Sequence, residues 1–111
     1  MTVETLDEYQ ELATKTAIYG AGNKVAYPIL GLVGEAGEIA NKFKKVLRDD
    51  NSILSEAKRD ALLDELGDVL WYCAALANDL DTTLSDVASR NVEKLHARME
   101  RGTIQGSGDK R

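Results

Sequence analysis

Residues 31–45, GLVGEAGEIANKFKK, and residues 64–72, DELGDVLWY, decide how this chain folds. From the first stretch onward, Leu32, Ala36, Ile39, Phe43 and Val46 recur at steps of 4, 3, 4 and 3, one stripe of an α-helix. Around the second, Leu62, Leu66, Val69, Cys73, Leu76 and Leu80 do the same, and Leu63, Leu70, Ala74 and Ala77 form a row beside them. A helix apolar over so much of its circumference must be covered on several sides.

Outward from these stretches the chain reads as four helices. A first helix is expected over about residues 4–18, followed by a Gly- and Asn-containing loop, YGAGNKVA, at 19–26. The second opens near Tyr27–Pro28, where a first-turn proline is tolerated, and runs to about Leu47. Ser55 starts the third, which continues to about Asn78; Thr83 with Asp86 resembles a capping box and opens the fourth, to about Arg101. The expected fold is all-α, a four-helix bundle-like domain over 1–101, with a Gly-rich, polar and flexible tail at 102–111. Four helices cover the third one poorly, so a homo-oligomer is expected.

With 111 residues there is room for one domain and a modest core. The formal charge of −5 argues against a nucleic-acid surface, since phosphate backbones select basic patches. It leaves open a small phosphate ligand, because a bound cation reverses the sign of a local site. The single cysteine, Cys73, cannot pair internally and reads as a small buried hydrophobe. No signal-peptide pattern opens the chain, and its longest apolar run, Val69 to Ala77, is far below the roughly 20 residues of a membrane span. The expectation is a cytoplasmic protein without membrane or nucleic-acid partners.

Glu35 and Glu38 lie at i and i+3 on the second helix, and Glu65 and Asp68 repeat that spacing on the third. Like charges so placed repel by a few tenths of a kcal/mol, a cost helices usually avoid. One reading is two solvated faces paired with Lys42 or Arg59. The other is that antiparallel packing brings four carboxylates together around a hard cation: Mg²⁺, with Mn²⁺ as a substitute. A di-iron bundle needs Glu-x-x-His on two helices, whereas this chain has one histidine, His96, far from both acid pairs. His96 itself reads as a surface residue. Gly31, Gly34, Gly37 and Gly67 each cost a helix about 1 kcal/mol, which predicts close approach by another helix or a ligand.

These residues resemble a family. The acid pairs, followed by NVEKLHARMERG and a closing Gly-Ser-Gly-Asp-x-Arg, look like the MazG-type branch of the all-α NTP pyrophosphatases. The signature Glu-Glu-x-x-Glu, then Glu-x-x-Asp, stands here as Gly34-Glu35-Ala36-Gly37-Glu38 and Glu65-Leu66-Gly67-Asp68, with Gly34 replacing the first glutamate. The resemblance covers about residues 5–111 and implies an oligomeric, Mg²⁺-binding hydrolase that converts (d)NTPs to monophosphate and pyrophosphate.

The roles that follow are expectations. Glu35, Glu38, Glu65 and Asp68 hold metal, and Glu35 or Glu38 acts as general base. Lys42 and Lys45 continue the acidic face, toward phosphate or toward ion pairs with Glu38 and Asp49. Tyr72 lies on that face, whereas Trp71 reads as core. Asn91, Lys94, Arg98 and Arg101, spaced 3, 4 and 3, form a stripe on the fourth helix, and the first three are assigned to substrate. Lys110 and Arg111 sit in the tail expected to be disordered. Two alternatives stand: a dUTPase-like pyrimidine-specific diphosphatase, and a non-enzymatic helical interaction module.

Overall fold

A computed structural model describes residues 1–111 as four α-helices and no strand. They are α1 (Leu6–Thr14), α2 (Ala26–Asp49), α3 (Glu56–Asp79) and α4 (Leu84–Arg101), with a single 3-10 turn at Ala21–Asn23. The all-α expectation holds.

Hydroxyl caps set three of the starts. Thr5, Ser55 and Thr83 accept the amides of Glu8 (3.1 Å), Lys58 (3.2 Å) and Asp86 (3.0 Å), each satisfying an otherwise orphan donor. α1 stops at Thr14, short of residue 18. Threonine hydroxyls compete there for its backbone, Thr14 donating to the Glu11 carbonyl and Thr16 to that of Ala13 at 2.7 Å.

α2 starts from a strained turn. Val25 sits at φ 66°, ψ −56°, and the Ala26 amide reaches back to the Lys24 carbonyl at 2.7 Å, closing a γ-turn of the rare left-handed-φ kind. A β-branched residue there costs on the order of 1–3 kcal/mol. Asp79 at the end of α3 holds the turn in place: its Oδ2 accepts from the Val25 amide at 2.9 Å and from the Tyr19 hydroxyl at 2.7 Å.

The packing is sparse. α2 and α3, 24 residues each and so about 36 Å long, form an antiparallel hairpin. α1 lies against α3, while α4 packs against α1 and against α3, from which it is separated by the short corner at residues 80–83. Gln10, buried on α1, fixes that last corner by donating to the Thr82 carbonyl (3.0 Å) and accepting from the Leu84 amide (2.7 Å). The core cluster is Ala13, Ala74, Ala77 and Leu84, with Tyr9, Trp71 and Cys73 packed against it.

Only 9 of the 111 residues are buried, so the bundle is open rather than closed. The radius of gyration, 16.9 Å, exceeds the about 13 Å of a compact chain this long. Of the expected core rows Val46, Ala74 and Ala77 are buried, but Leu66 and Leu80 remain exposed. Leu30 and Val33, 73% and 68% exposed, share a helical stripe with Gly34 and Gly37. No helix is long and apolar enough to cross a membrane.

α4 ends in a left-handed Gly102 (φ 72°), with the Thr103 amide bonded to the Arg98 carbonyl at 2.8 Å. Beyond it the chain departs from the expected flexible tail. Arg98 donates to the Asp109 carbonyl at 2.7 Å, and Arg111 to those of Thr103 (3.0 Å), Gly108 (2.6 Å) and Ile104 (3.1 Å). Arg101 adds a third link, donating to the Arg111 carbonyl at 2.5 Å, so three arginines hold the terminus through backbone acceptors.

Candidate functional site

The antiparallel hairpin sets Glu35 of α2 opposite Glu65 and Asp68 of α3, with carboxylate oxygens of all three within 4.8 Å of one another. Glu35 and Glu65 are half-buried and Asp68 is exposed. A hydrogen bond with Glu65 lifts the Glu35 carboxyl above its ordinary 4.5, helped by lost solvation and by the charges of Glu65, Asp68 and Glu38. Three acids so placed favour either a retained proton or a cation. An all-oxygen donor set of this kind fits a hard divalent ion. Glu38, one turn on and exposed, adds its charge but lies outside the three-acid group.

Lys42 reaches the site, its Nζ 3.8 Å from Glu65 Oε1. Tyr72 does too: with Trp71, Glu35 and Asp68 it lines an open cleft of about 340 Å³. Burial, then the neighbouring Tyr27, then Glu35 and Asp68 push the Tyr72 hydroxyl up, so it stays protonated. Its ring occupies the space a side chain at Gly31 would need, since a Cβ there would stand 2.1 Å from the ring. Close approach therefore explains Gly31. Gly34, Gly37 and Gly67 have nothing of this chain within 4 Å of a Cβ built there, so no contact within the chain accounts for them.

Trp71 joins the core and also walls the cleft, its indole N–H donating to Thr16 Oγ1 at 2.8 Å. It meets Tyr72 edge-on at 5.0 Å and Tyr19 at 6.4 Å, and Tyr19 stacks on Tyr27 at 4.6 Å. The Tyr19–Tyr27 half of this aromatic cluster escaped sequence reasoning, because its members lie in and beside a loop with no periodicity. Lys45 lines a separate cleft of about 190 Å³ with Lys42 and Lys58, the last another residue the sequence did not single out.

The α4 stripe is elsewhere. Asn91 and Lys94, with Arg90, wall a cleft of about 620 Å³ beside Leu80. Leu80 lies 12 positions beyond Asp68, about 18 Å along the helix axis. Within one chain these residues are not brought to the acids. Arg98 is buried and bound to the tail. His96 is exposed beside Glu100, at 3.2 Å, as expected.

Two comparisons bear on this arrangement. A family model described as the MazG nucleotide pyrophosphohydrolase domain matches residues 26–103, which includes both acid pairs. The Gene 37 protein of Mycobacterium phage L5 is 55% identical over 112 residues, covering 96% of this chain and 98% of that protein. No solved structure matches. With its acid pairs on neighbouring helices inside the matched segment, this chain belongs to the MazG nucleotide pyrophosphohydrolase family.

Proposed function

We propose that the chain hydrolyses ribo- or deoxyribonucleoside triphosphates to the monophosphate and pyrophosphate, with Mg²⁺ held by Glu35, Glu65, Asp68 and Glu38. The observation that carries this reading is the convergence of three carboxylates from two helices, two of which, Glu35 and Asp68, line a cleft with Trp71 and Tyr72. A bound cation would neutralise phosphate charge and acidify an attacking water.

The chain's own groups supply the rest. Glu38, outside the tight group but one turn from Glu35, takes the proton of the attacking water. The new O–P bond forms at the α-phosphorus, the α–β anhydride bond breaks, and pyrophosphate leaves with the electron pair. Lys42 balances charge beside Glu65, and the protonated Tyr72 hydroxyl donates into the cleft. A cytoplasmic location would give such an enzyme its nucleotide pool.

Association of copies belongs to the same reading. The open stripe of Leu30, Val33, Gly34 and Gly37 suits a second copy of α2, glycines admitting a neighbouring helix. Asn91 and Lys94 then meet substrate across a contact between copies. Val33→Arg should lower the mass measured by light scattering; an unchanged mass removes this surface.

Pyrophosphate release from a panel of NTPs and dNTPs with Mg²⁺ tests the chemistry. Turnover of several nucleotides is the expected result, and turnover of dUTP alone would favour the pyrimidine-specific diphosphatase. If every nucleotide stays intact with folded, Mg²⁺-loaded protein, the interaction-module reading replaces this one.

A further inference from the structure

The folded tail raises a question that the acid cleft does not answer. Asp109 Oδ1 lies 3.5 Å from both Lys94 Nζ and Arg98 Nη2, so a carboxylate of the chain bridges two cations of α4. The two cations differ in kind. Arg98 has a side chain only 5% exposed, with Nε buried and without any acceptor. Lys94 is 41% exposed at the wall of the large open cleft.

The carboxylate between them is 86% exposed, and Lys94 and Arg98 hold Asp109 below the usual carboxylate range. An ion pair so wet is weak and is readily exchanged for another anion. Arg98, by contrast, has already been taken out of water by the fold, and its fork suits a phosphate as well as a carboxylate. Its Nη2 is tied to the tail, at 2.7 Å from the Asp109 carbonyl and 3.4 Å from that of Gly108, while Nε is left without an acceptor.

We propose that Lys94 and Arg98 form an anion site for phosphate groups which Asp109 occupies as an internal competitor, so that the tail is a latch displaced by a polyphosphate. This deepens the functional reading, resting on Lys94 as a phosphate contact but not on hydrolysis. Arg111 serves the latch by clasping three carbonyls of residues 103–108, which keeps Asp109 at its post.

The test is titration of the full-length chain with inorganic pyrophosphate by calorimetry, with divalent cations chelated so that the acid cleft takes no part. Asp109→Asn should bind at least threefold more tightly than wild type, Asp109→Glu like wild type, and Lys94→Ala more weakly than either. In the wild-type protein, saturating pyrophosphate should speed hydrogen exchange of amides 104–111. The proposal is overturned if neither wild type nor Asp109→Asn binds, if Asp109→Asn gains nothing, or if Asp109→Glu gains as much. Tail exchange unchanged at saturation overturns it too. Failure of the hydrolase reading would instead show as absent pyrophosphate release with Mg²⁺, a separate measurement.

Discussion

Tyr19 donates its hydroxyl proton to Asp79 at 2.7 Å across 60 positions of sequence, tying the loop before α2 to the end of α3. Burial, and next this hydrogen bond, push the tyrosine up to about 12 from its usual 10.0. A folded-state value above the unfolded one favours the protonated form. The contribution to stability is thus complete below pH 10.0 and is lost as pH rises toward about 12. Urea midpoints should fall over that window in wild type and less steeply in Tyr19→Phe. A parallel fall in both would detach the effect from Tyr19.

Asp79→Ala should be more damaging than Tyr19→Phe. It leaves both the Tyr19 hydroxyl and the Val25 amide without their acceptor, the latter inside an already strained turn. A loss of about 1–3 kcal/mol is expected for such an orphaned pair, measured by urea denaturation. A loss under about 0.5 kcal/mol would show that the turn relaxes freely.

In the absence of a cation, the raised Glu35 carboxyl makes the folded state lose stability as pH climbs from 4.5 through its elevated value. Saturating Mg²⁺ should remove that slope and raise the melting temperature, since a ligand at 100 times its Kd adds about 2.7 kcal/mol. The double variant Glu38→Gln/Asp68→Asn should show neither response. Equal Mg²⁺ shifts in variant and wild type would take these residues out of the metal site.

Two glycine variants should move in opposite directions. Gly31→Ala drives a methyl into the Tyr72 ring, and overpacking of that kind costs about 1–3 kcal/mol, partly offset by better helix propensity. Gly67→Ala meets no neighbour in the chain and should gain up to about 1 kcal/mol. Thermal melts of the two, compared with wild type, decide the matter. A Gly31→Ala protein as stable as Gly67→Ala would mean that the Tyr72 ring has somewhere else to go.

Gln10→Ala should loosen α4. Both its bonds go to backbone groups of the α3–α4 corner, and the Leu84 amide lies in a buried setting. A destabilisation of about 2–3 kcal/mol is expected, with hydrogen exchange rising first in α4. Uniform change across all helices would instead mean that the corner unfolds with everything else.

The helices were legible in the sequence because their signals are local: stripes of apolar residues, and Ser55 and Thr83 placed to cap. The three-acid group was legible for a related reason. The i, i+3 acid spacing on two adjacent long helices leaves few antiparallel registers, and one of them brings Glu35 to Glu65 and Asp68. What stayed hidden depends on partners distant in sequence or on backbone acceptors that have no residue signature. Gln10 drew no reading from the sequence, since its partners lie 72 and 74 positions on. Arg98 shares a stripe with Asn91, and the family resemblance assigned both to substrate. Its main acceptor is a carbonyl of the tail, and burial follows. Open space beside Gly34, Gly37 and Gly67 was equally invisible, because a helical glycine's cost does not say which neighbour compensates it.

The α1–α3 contact is built on Ala13, Ala74 and Ala77, with Ala75 also enclosed. A side chain that ends at Cβ has almost nothing to trim, so the usual injury to a protein interior, truncation to a smaller residue, hardly exists here. The reverse injury does. Each added branch at these positions would wedge two helix backbones apart and, through Trp71 and Tyr72 on the same α3, tilt the wall of the acid cleft. This chain is exposed to enlargement rather than erosion at that contact, on the same helix that carries Asp68, Trp71 and Tyr72 to the candidate site.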